Sequence, residues 1–399
     1  MKEYFVVRRL VNENKFDEAI RKTENMKDEQ EKLMLTCMIA EGMIYENKAE
    51  DAISLLNNAF KMAREIDDKF AKSLSLRQIS FTMAVAGNVE GAVKMAYSIK
   101  DDSEKVYALA KISHFLASED EIEKAMELLD EAEKIIHKMD DDIGKILSIK
   151  TVAHALIEIG GKDKAFSLIK YAESIAGKMN EENVSAVLTL IASVMFELGK
   201  IDDALGLSRN IKEEYDKAWI LSDIAYMRKD ANLLNEAVKL ARKMEDRYEK
   251  VSILSKIACM MADLGRWQEA SELINEMLRI LERIEYKVER TMAMALISHA
   301  MFKNGDERYK ESLVKAKEIA EELEVFEMEY AYSLIARVMI EIGEFENALK
   351  FIDEIEDDEA KMAVYISIAN DLIEEGREED AMKIAEFMND RLLKERIRK

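Results

Sequence analysis

The chain has 399 residues, 13 of them glycine and none proline, which excludes collagen-like and Pro/Gly-rich disordered chains and disfavours an all-β sandwich, whose turns draw on both residues. Apolar residues make up 49%; because one core stops growing near ~250–300 residues, a chain this long is expected to be divided into domains or built from repeats. The formal net charge of −22 argues against nucleic acid and anionic membrane surfaces as partners, since both are bound through cationic side chains.

Residues 1–26 read as a partial helical hairpin, with Val7, a turn at Asn14 and a small residue at Ala19. Residues 27–376 then repeat one phrase, seen as VAHALIEIG, IACMMADLG and IARVMIEIG. The copies are anchored on a small residue at Ala40, Ser80, Ser113, Ala153, Ala192, Ala225, Ala258, Ser298, Ala336 and Ala369. The steps between anchors are 40, 33, 40, 39, 33, 33, 40, 38 and 33 residues. Seven residues are about two helical turns, so the longer copies are expected to have a longer second helix.

Other positions keep a fixed distance from the anchor. The residue before it is Ile or Val throughout, and three after it stands Met or Leu, except for Arg228. At about 100° per residue these positions make one buried face, and several of the 25 methionines are core filler on this reading. Seven after the anchor come Asn47, Gly87, Asp120, Gly160, Gly199, Asn232, Gly265, Gly305, Gly343 and Gly376. These residue types enter the left-handed conformation at least cost, as a helix C-terminal cap requires. Five residues further, a second small residue (Ala52, Ala92 and so on, with Ser312 in the ninth copy) opens the second helix. The joints between copies are acidic, suiting helix N-termini, and a Lys or Arg eight before the anchor can pair with them. The segment 377–399, ending in RLLKERIRK, is read as a C-terminal capping helix.

The two aligned small residues 12 apart with a turn between them, such as Ala40 and Ala52, resemble the tetratricopeptide family over essentially the whole chain. The resemblance is to a divergent member, since the family's joint proline is absent. It implies an all-α fold: a right-handed α-solenoid of about 11 antiparallel helical hairpins, forming one continuous array over 1–399. It also implies a concave groove, lined by the first helices, that takes peptides or partner helices.

No phosphate loop, dinucleotide fingerprint, zinc-helix motif or Gly-flanked nucleophilic Ser occurs, so no catalytic residue, cofactor or metal is expected. Cys37 and Cys259 lie in different copies, without metal spacing. With no leader-like apolar stretch and no long apolar span, a cytoplasmic protein is expected. Abundant Glu and Lys beside only three Gln resemble hyperthermophile usage.

The residues three before and one after each anchor are expected to line the groove. They include Arg77 with Phe81, Ala110 with His114, Lys150 with His154, Ser222 with Tyr226, Ala295 with His299, and Ser333 with Arg337. Among the 20 such residues only Glu41 is acidic, although a row of acids five after the anchor (Glu158, Glu197 and others) borders them. The candidate partner-binding residues are therefore Arg77, Phe81, His114, Lys150, His154, Tyr226, His299 and Arg337. The bland alternative is that these half-buried positions merely exclude carboxylates. The function read from this pattern is a non-enzymatic protein-interaction scaffold that holds a peptide or partner protein in its groove. The alternatives are a regulatory sensor for a small molecule or signalling peptide, and an enzyme with a site assembled across repeats.

Overall fold

The computed structural model describes residues 2–179 and 181–398. Among them lie 23 α-helices and no strand. Twenty of the first 22 helices pack as ten antiparallel hairpins; Glu181–Glu197 and Ile201–Ser208, the pair expected as the eleventh, fall in different compact units. The chain divides into two compact units, Met1–Lys200 with Asp390–Lys399, and Ile201–Asn389, where the sequence reads as one continuous array.

The first unit stacks the helices Lys2–Asn12, Glu29–Tyr45, Lys69–Val85, Asp102–Ser118 and Asp142–Glu158, each followed by its second helix, and then Glu181–Glu197. The second unit stacks the first helices Glu214–Arg228, Arg247–Asp263, Lys287–Lys303, Val325–Glu341 and Asp358–Glu374 in the same way. All ten anchors are at most 1% exposed. A small side chain at each anchor lets the helices approach closely, and the Ile or Val before it is fully buried in every copy. Where the anchor is Ser its hydroxyl is bonded: Ser113 Oγ donates to the carbonyl of Ala125, the second small residue of its own hairpin, at 2.8 Å.

Nine of the ten anchored first helices are 17 residues long. The variable step is therefore taken up by the second helix. It has 8 or 9 residues in three of the 33-residue copies and 12 to 17 in the longer copies. The remaining 33-residue copy is different. Its first helix ends at Arg228, and the left-handed residue is Lys229 (φ 53°), not the expected Asn232. Arg228 stands where other copies bury Met or Leu, and it is exposed and paired with Asp202. The helix stops before that charge would enter the core, and the second helix, Ala231–Lys243, starts correspondingly early. The other nine turn residues, and Asn14 in the partial copy, all have positive φ as expected.

Three further expectations are corrected. Ser312 is only half-buried; Leu313, Ala316 and Ala320 carry that helix's buried face. The joint acids do cap first helices, as Asp68 does by accepting from Ala71 N at 2.7 Å. Of the lysines eight before the anchor, Lys105 pairs with the joint acid Asp102 as expected, whereas Lys32 and Lys217 donate instead to the carbonyls of Glu24 and Arg209 at the end of the preceding second helix. Finally, residues 377–399 do not form one capping helix. Glu378–Phe387 completes the last hairpin, and a separate helix, Arg391–Ile397, packs against the helix Glu29–Tyr45 in the first unit.

Candidate functional site: the open face of the first helices

Each first helix buries one face against its second helix and its flanks against neighbouring first helices. The face left open carries the position one after the anchor, whereas the position three before the anchor is divided between the half-buried Arg77, Lys150, Thr189, Ser333 and Ile366 and five buried residues. Cys37, Ala110, Ser222, Ser255 and Ala295 at that position are all at most 3% exposed. At about 100° per residue it lies about 40° from the position one after the anchor, on the anchor's side. The positions six and two before the anchor and five after it fall about 20–60° to the other side, toward solvent. The row six before the anchor was missed in the sequence. It holds Met34 (44% exposed), the half-buried Leu74 and Tyr107, Leu147 (50%) and Ala186 in the first unit, and Trp219 (40%), Ser252, Met292, Tyr330 (69%) and Ala363 in the second. Its signal was there: it lies seven residues, nearly two turns, before the candidate position.

The charged and imidazole candidates are linked across adjacent first helices. His114 Nδ1 lies 2.8 Å from Glu158 Oε2, and His154 Nδ1 lies 3.0 Å from Glu197 Oε2. One after the anchor thus meets five after the next anchor. The hydrogen bond to His114 holds the Glu158 carboxyl below its usual range. Arg77 donates to Glu104 at 2.7 Å and lies 4.5 Å over the Tyr107 ring. Arg337 donates to Asp371 at 3.0 Å and also pairs with Glu375. The acidic border of the face thus lies within reach of its histidines and of Arg337. Lys150 is half-buried and, among the described residues, makes no ion pair. Phe81 is half-buried and Tyr226 is 36% exposed.

In the second unit, Lys256 Nζ donates to Asp223 at 2.9 Å and sits 3.5 Å from the centre of the Trp219 ring, which packs against Tyr215. Burial lowers the pKa of this ammonium, with Asp223 acting against the shift. Next along, Cys259 Sγ lies 4.0 Å from His299 Nδ1. Burial pushes the Cys259 thiol up to about 12 and the His299 imidazole down. Both are therefore neutral near pH 7, so the pair lacks the thiolate that nucleophilic chemistry requires. The Nε2 atom of His299 is buried and has no partner among the described residues.

No protein-family model matches the chain, and no curated protein matches it. Among solved structures, Ton1535 from Thermococcus onnurineus NA1 is similar at 17% identity over 92% of this chain and 99% of its own, with a TM-score of 0.32. The apo form of RapI is similar at 11% identity over 92% and 97%, with a TM-score of 0.37. Yeast Tom70 is similar at 12% identity over 98% and 99%, with a TM-score of 0.29. Superpositions this loose leave the fold to be judged on its own hairpins, with two small residues 12 apart buried in nearly every copy. The fold is that of a divergent tetratricopeptide-like helical-repeat array.

The candidate residues fall into two groups, one per unit: Arg77, Phe81, His114, Lys150 and His154 in the first, Tyr226, His299 and Arg337 in the second. Among the described residues no cluster of three or more His, Cys, Asp or Glu could hold a metal ion, and no helix is long and apolar enough to cross a membrane.

Proposed function

We propose that this protein is a non-enzymatic interaction scaffold that binds a peptide or partner-protein segment along the open face of its first helices. One observation supports the reading: large apolar side chains recur at one repeat position, exposed at Met34 and Leu147 and half-buried at Leu74 and Tyr107 between them in one unit, and exposed again at Trp219 and Tyr330 in the other. Isolated exposed apolar residues are ordinary on any protein; a row of them repeated in register marks a contact surface. The interleaved groups, His114, Lys150, His154, Tyr226 and Arg337, supply hydrogen bonds that fix a partner's register.

The test is affinity capture from the source organism, followed by binding measurements on the captured partner. Trp219→Ala with Tyr226→Ala, and separately His154→Ala with Lys150→Ala, should weaken binding without lowering the melting temperature. Unchanged affinity in both double variants sinks the proposal.

A second reading, a sensor for a small molecule or short peptide, is favoured by one feature. A cavity of about 440 Å3 opens beside the helices Glu29–Tyr45 and Lys69–Val85. It is lined by Gln30, Gln78, Ser75 and Arg77 over Leu33, Met34 and Leu74. Two of the chain's three glutamines meet there. A thermal shift with a small polar ligand, abolished by Gln78→Ala, supports this reading; a ligand screen without any shift removes it.

A further inference from the structure

The short helix Arg391–Ile397 is held by a dense set of specific contacts. Asp390 is 1% exposed, the one acidic or basic side chain that is fully buried among the described residues. Its two oxygens do different work. Oδ1 accepts from Leu393 N at 3.0 Å and so caps the helix, while Oδ2 accepts from Arg8 Nε at 2.6 Å. Arg8 also donates to the Tyr4 hydroxyl at 2.9 Å. Asn12 Oδ1 accepts from the backbone N–H groups of Arg391 and Leu392, at 3.1 and 3.3 Å. The Arg391 guanidinium donates to Asn14 Oδ1 at 3.0 Å and to the Tyr45 carbonyl at 3.1 Å, and pairs with Glu46. Leu392 and Leu393 are buried beneath.

The repeat register shows what these contacts mean. Arg8 and Glu41 stand one after the anchor place of the first two copies, and Asn12 and Tyr45 stand five after it. Further along the unit these two positions meet each other directly, as His114 meets Glu158 and His154 meets Glu197. Here the last helix and its cap engage Arg8, Asn12 and the Tyr45 carbonyl instead. Glu41, the one acid among the 20 residues expected to line the face, is the exception that fits this occupant. Burial raises its pKa, and Arg396 of the last helix, together with Arg8, pulls the other way.

We infer that the open face of the first two copies is a receptor for a short amphipathic helix headed by an aspartate cap and an Arg-Leu-Leu run, and that residues 390–398 occupy it as an exchangeable internal ligand. The inference rests on the scaffold reading and names the partner class for this part of the face. Recognition has three parts. The Arg8 guanidinium reads the capping carboxylate, Asn12 reads the free N–H groups of the first helical turn, and a pocket takes the two leucines. A buried ion pair contributes little net stability against an apolar alternative but discriminates strongly against a helix that lacks one partner. That is the property expected of a recognition contact.

The experiment uses the full chain and a fluorescein-labelled peptide of residues 388–399. In the variant Leu393→Asp the chain's own helix is dislodged, and the peptide should bind at least tenfold more tightly than to the wild type. Adding Arg8→Ala should weaken that binding at least tenfold, as should an Asp390→Asn change in the peptide. No binding to a Leu393→Asp chain whose helical spectrum and melting curve are intact overturns the inference, and so does equal binding to wild type and variant. If the variant does not fold, hydrogen exchange on the wild type decides. Amides of 391–397 should exchange much faster than those of 29–45, and equal protection refutes an exchangeable helix. None of these variants touches Trp219, Tyr226, Lys150 or His154, so loss of partner binding there and loss of peptide binding here are separate results.

Discussion

Three glycines in three environments should respond to the same methyl group in three ways. Gly87 ends the helix Lys69–Val85 with φ +87°, donates to the Ala84 carbonyl at 2.8 Å, and is followed by Asn88 N bonding Met83 O at 3.1 Å. A Cβ there meets nothing within 4 Å, so the cost of Gly87→Ala is backbone strain alone, about 1–2 kcal/mol. Gly42 has ordinary helical backbone, but a Cβ would clash with Val11 Cγ1 and sit 3.1 Å from Phe16 Cε1. Val11 and Phe16 are themselves 2% and 4% exposed, so Gly42→Ala should cost about 1–3 kcal/mol through overpacking. Trimming Val11 to Ala should return part of that cost. Gly206 lies within the helix Ile201–Ser208, and a Cβ there also meets nothing within 4 Å. Gly206→Ala should therefore stabilise by about 0.5–1 kcal/mol, from lower chain entropy in the unfolded state and better helix propensity. Urea midpoints followed by helical circular dichroism, with hydrogen exchange to localise each change, measure all three. If Gly87→Ala and Gly206→Ala shift stability in the same direction, helix termination by the left-handed residue is not what positions the turns.

Three other consequences are open to direct measurement. Lys229→Gly should stabilise by about 1 kcal/mol, because it relieves a left-handed lysine at φ 53°; an unchanged midpoint would show that the lysine's tertiary contacts matter more than its backbone. Burial lowers the His299 pKa below its ordinary value of 6.5, so below pH 6.5 the unfolded chain binds the extra proton first. Stability from this site is full above pH 6.5 and falls as the pH drops through that value toward the folded-state pKa, and His299→Phe should flatten the decline; equal slopes for the two proteins in thermal melts from pH 7.5 to 5 would refute it. Burial raises the thiol pKa of Cys37, and that of Cys259 to about 12, so neither should react with iodoacetamide at pH 8 until urea unfolds its repeat; rapid native alkylation seen by mass spectrometry would contradict the burial.

The repeat, its hairpins and its turns were legible because each rests on a residue type at a fixed offset: a small anchor for close approach, Ile or Val beside it, Gly or Asn where φ turns positive. The legible part failed where a local clash took precedence. Arg228 stands at a position that the other copies bury, so its helix stops early, the charge stays exposed, and Lys229 takes the cap that Asn232 was expected to make. The open face was half-legible. Counting three before the anchor found Arg77 and Lys150 but otherwise mainly buried residues, because the choice between three and two before it turns on tens of degrees that helix packing sets and periodicity does not. The cross-helix pairs, His154 with Glu197 among them, were present in the sequence as two separate rows. Only the stacking of adjacent first helices makes them one row. The engagement of Asp390 with Arg8 could not be read at all, since 382 residues separate the partners and no local pattern links them.

On the proposed scaffold reading, the pairing of charges on the open face constrains what a partner must bring. Arg77, His114 and His154 already have acids beside them, and exchanging one exposed ion pair for another gains little, typically 0–1 kcal/mol. Affinity must come from the apolar row, where burying the exposed part of Leu147 or Met34 contributes on the order of 1 kcal/mol per side chain. Adjacent packed helices lie about 8–10 Å apart, and an extended chain advances about 3.3 Å per residue. A peptide crossing Met34, Leu74, Tyr107 and Leu147 in turn therefore meets a new apolar contact about every third residue. Extended peptides with leucine at every third position should bind the protein more tightly than isomers of the same composition with leucines clustered or alternating, and Leu147→Asp should weaken the first set selectively. Equal binding across the isomers, by fluorescence polarisation, would mean that the row does not act as a ruler and that its exposure has another cause.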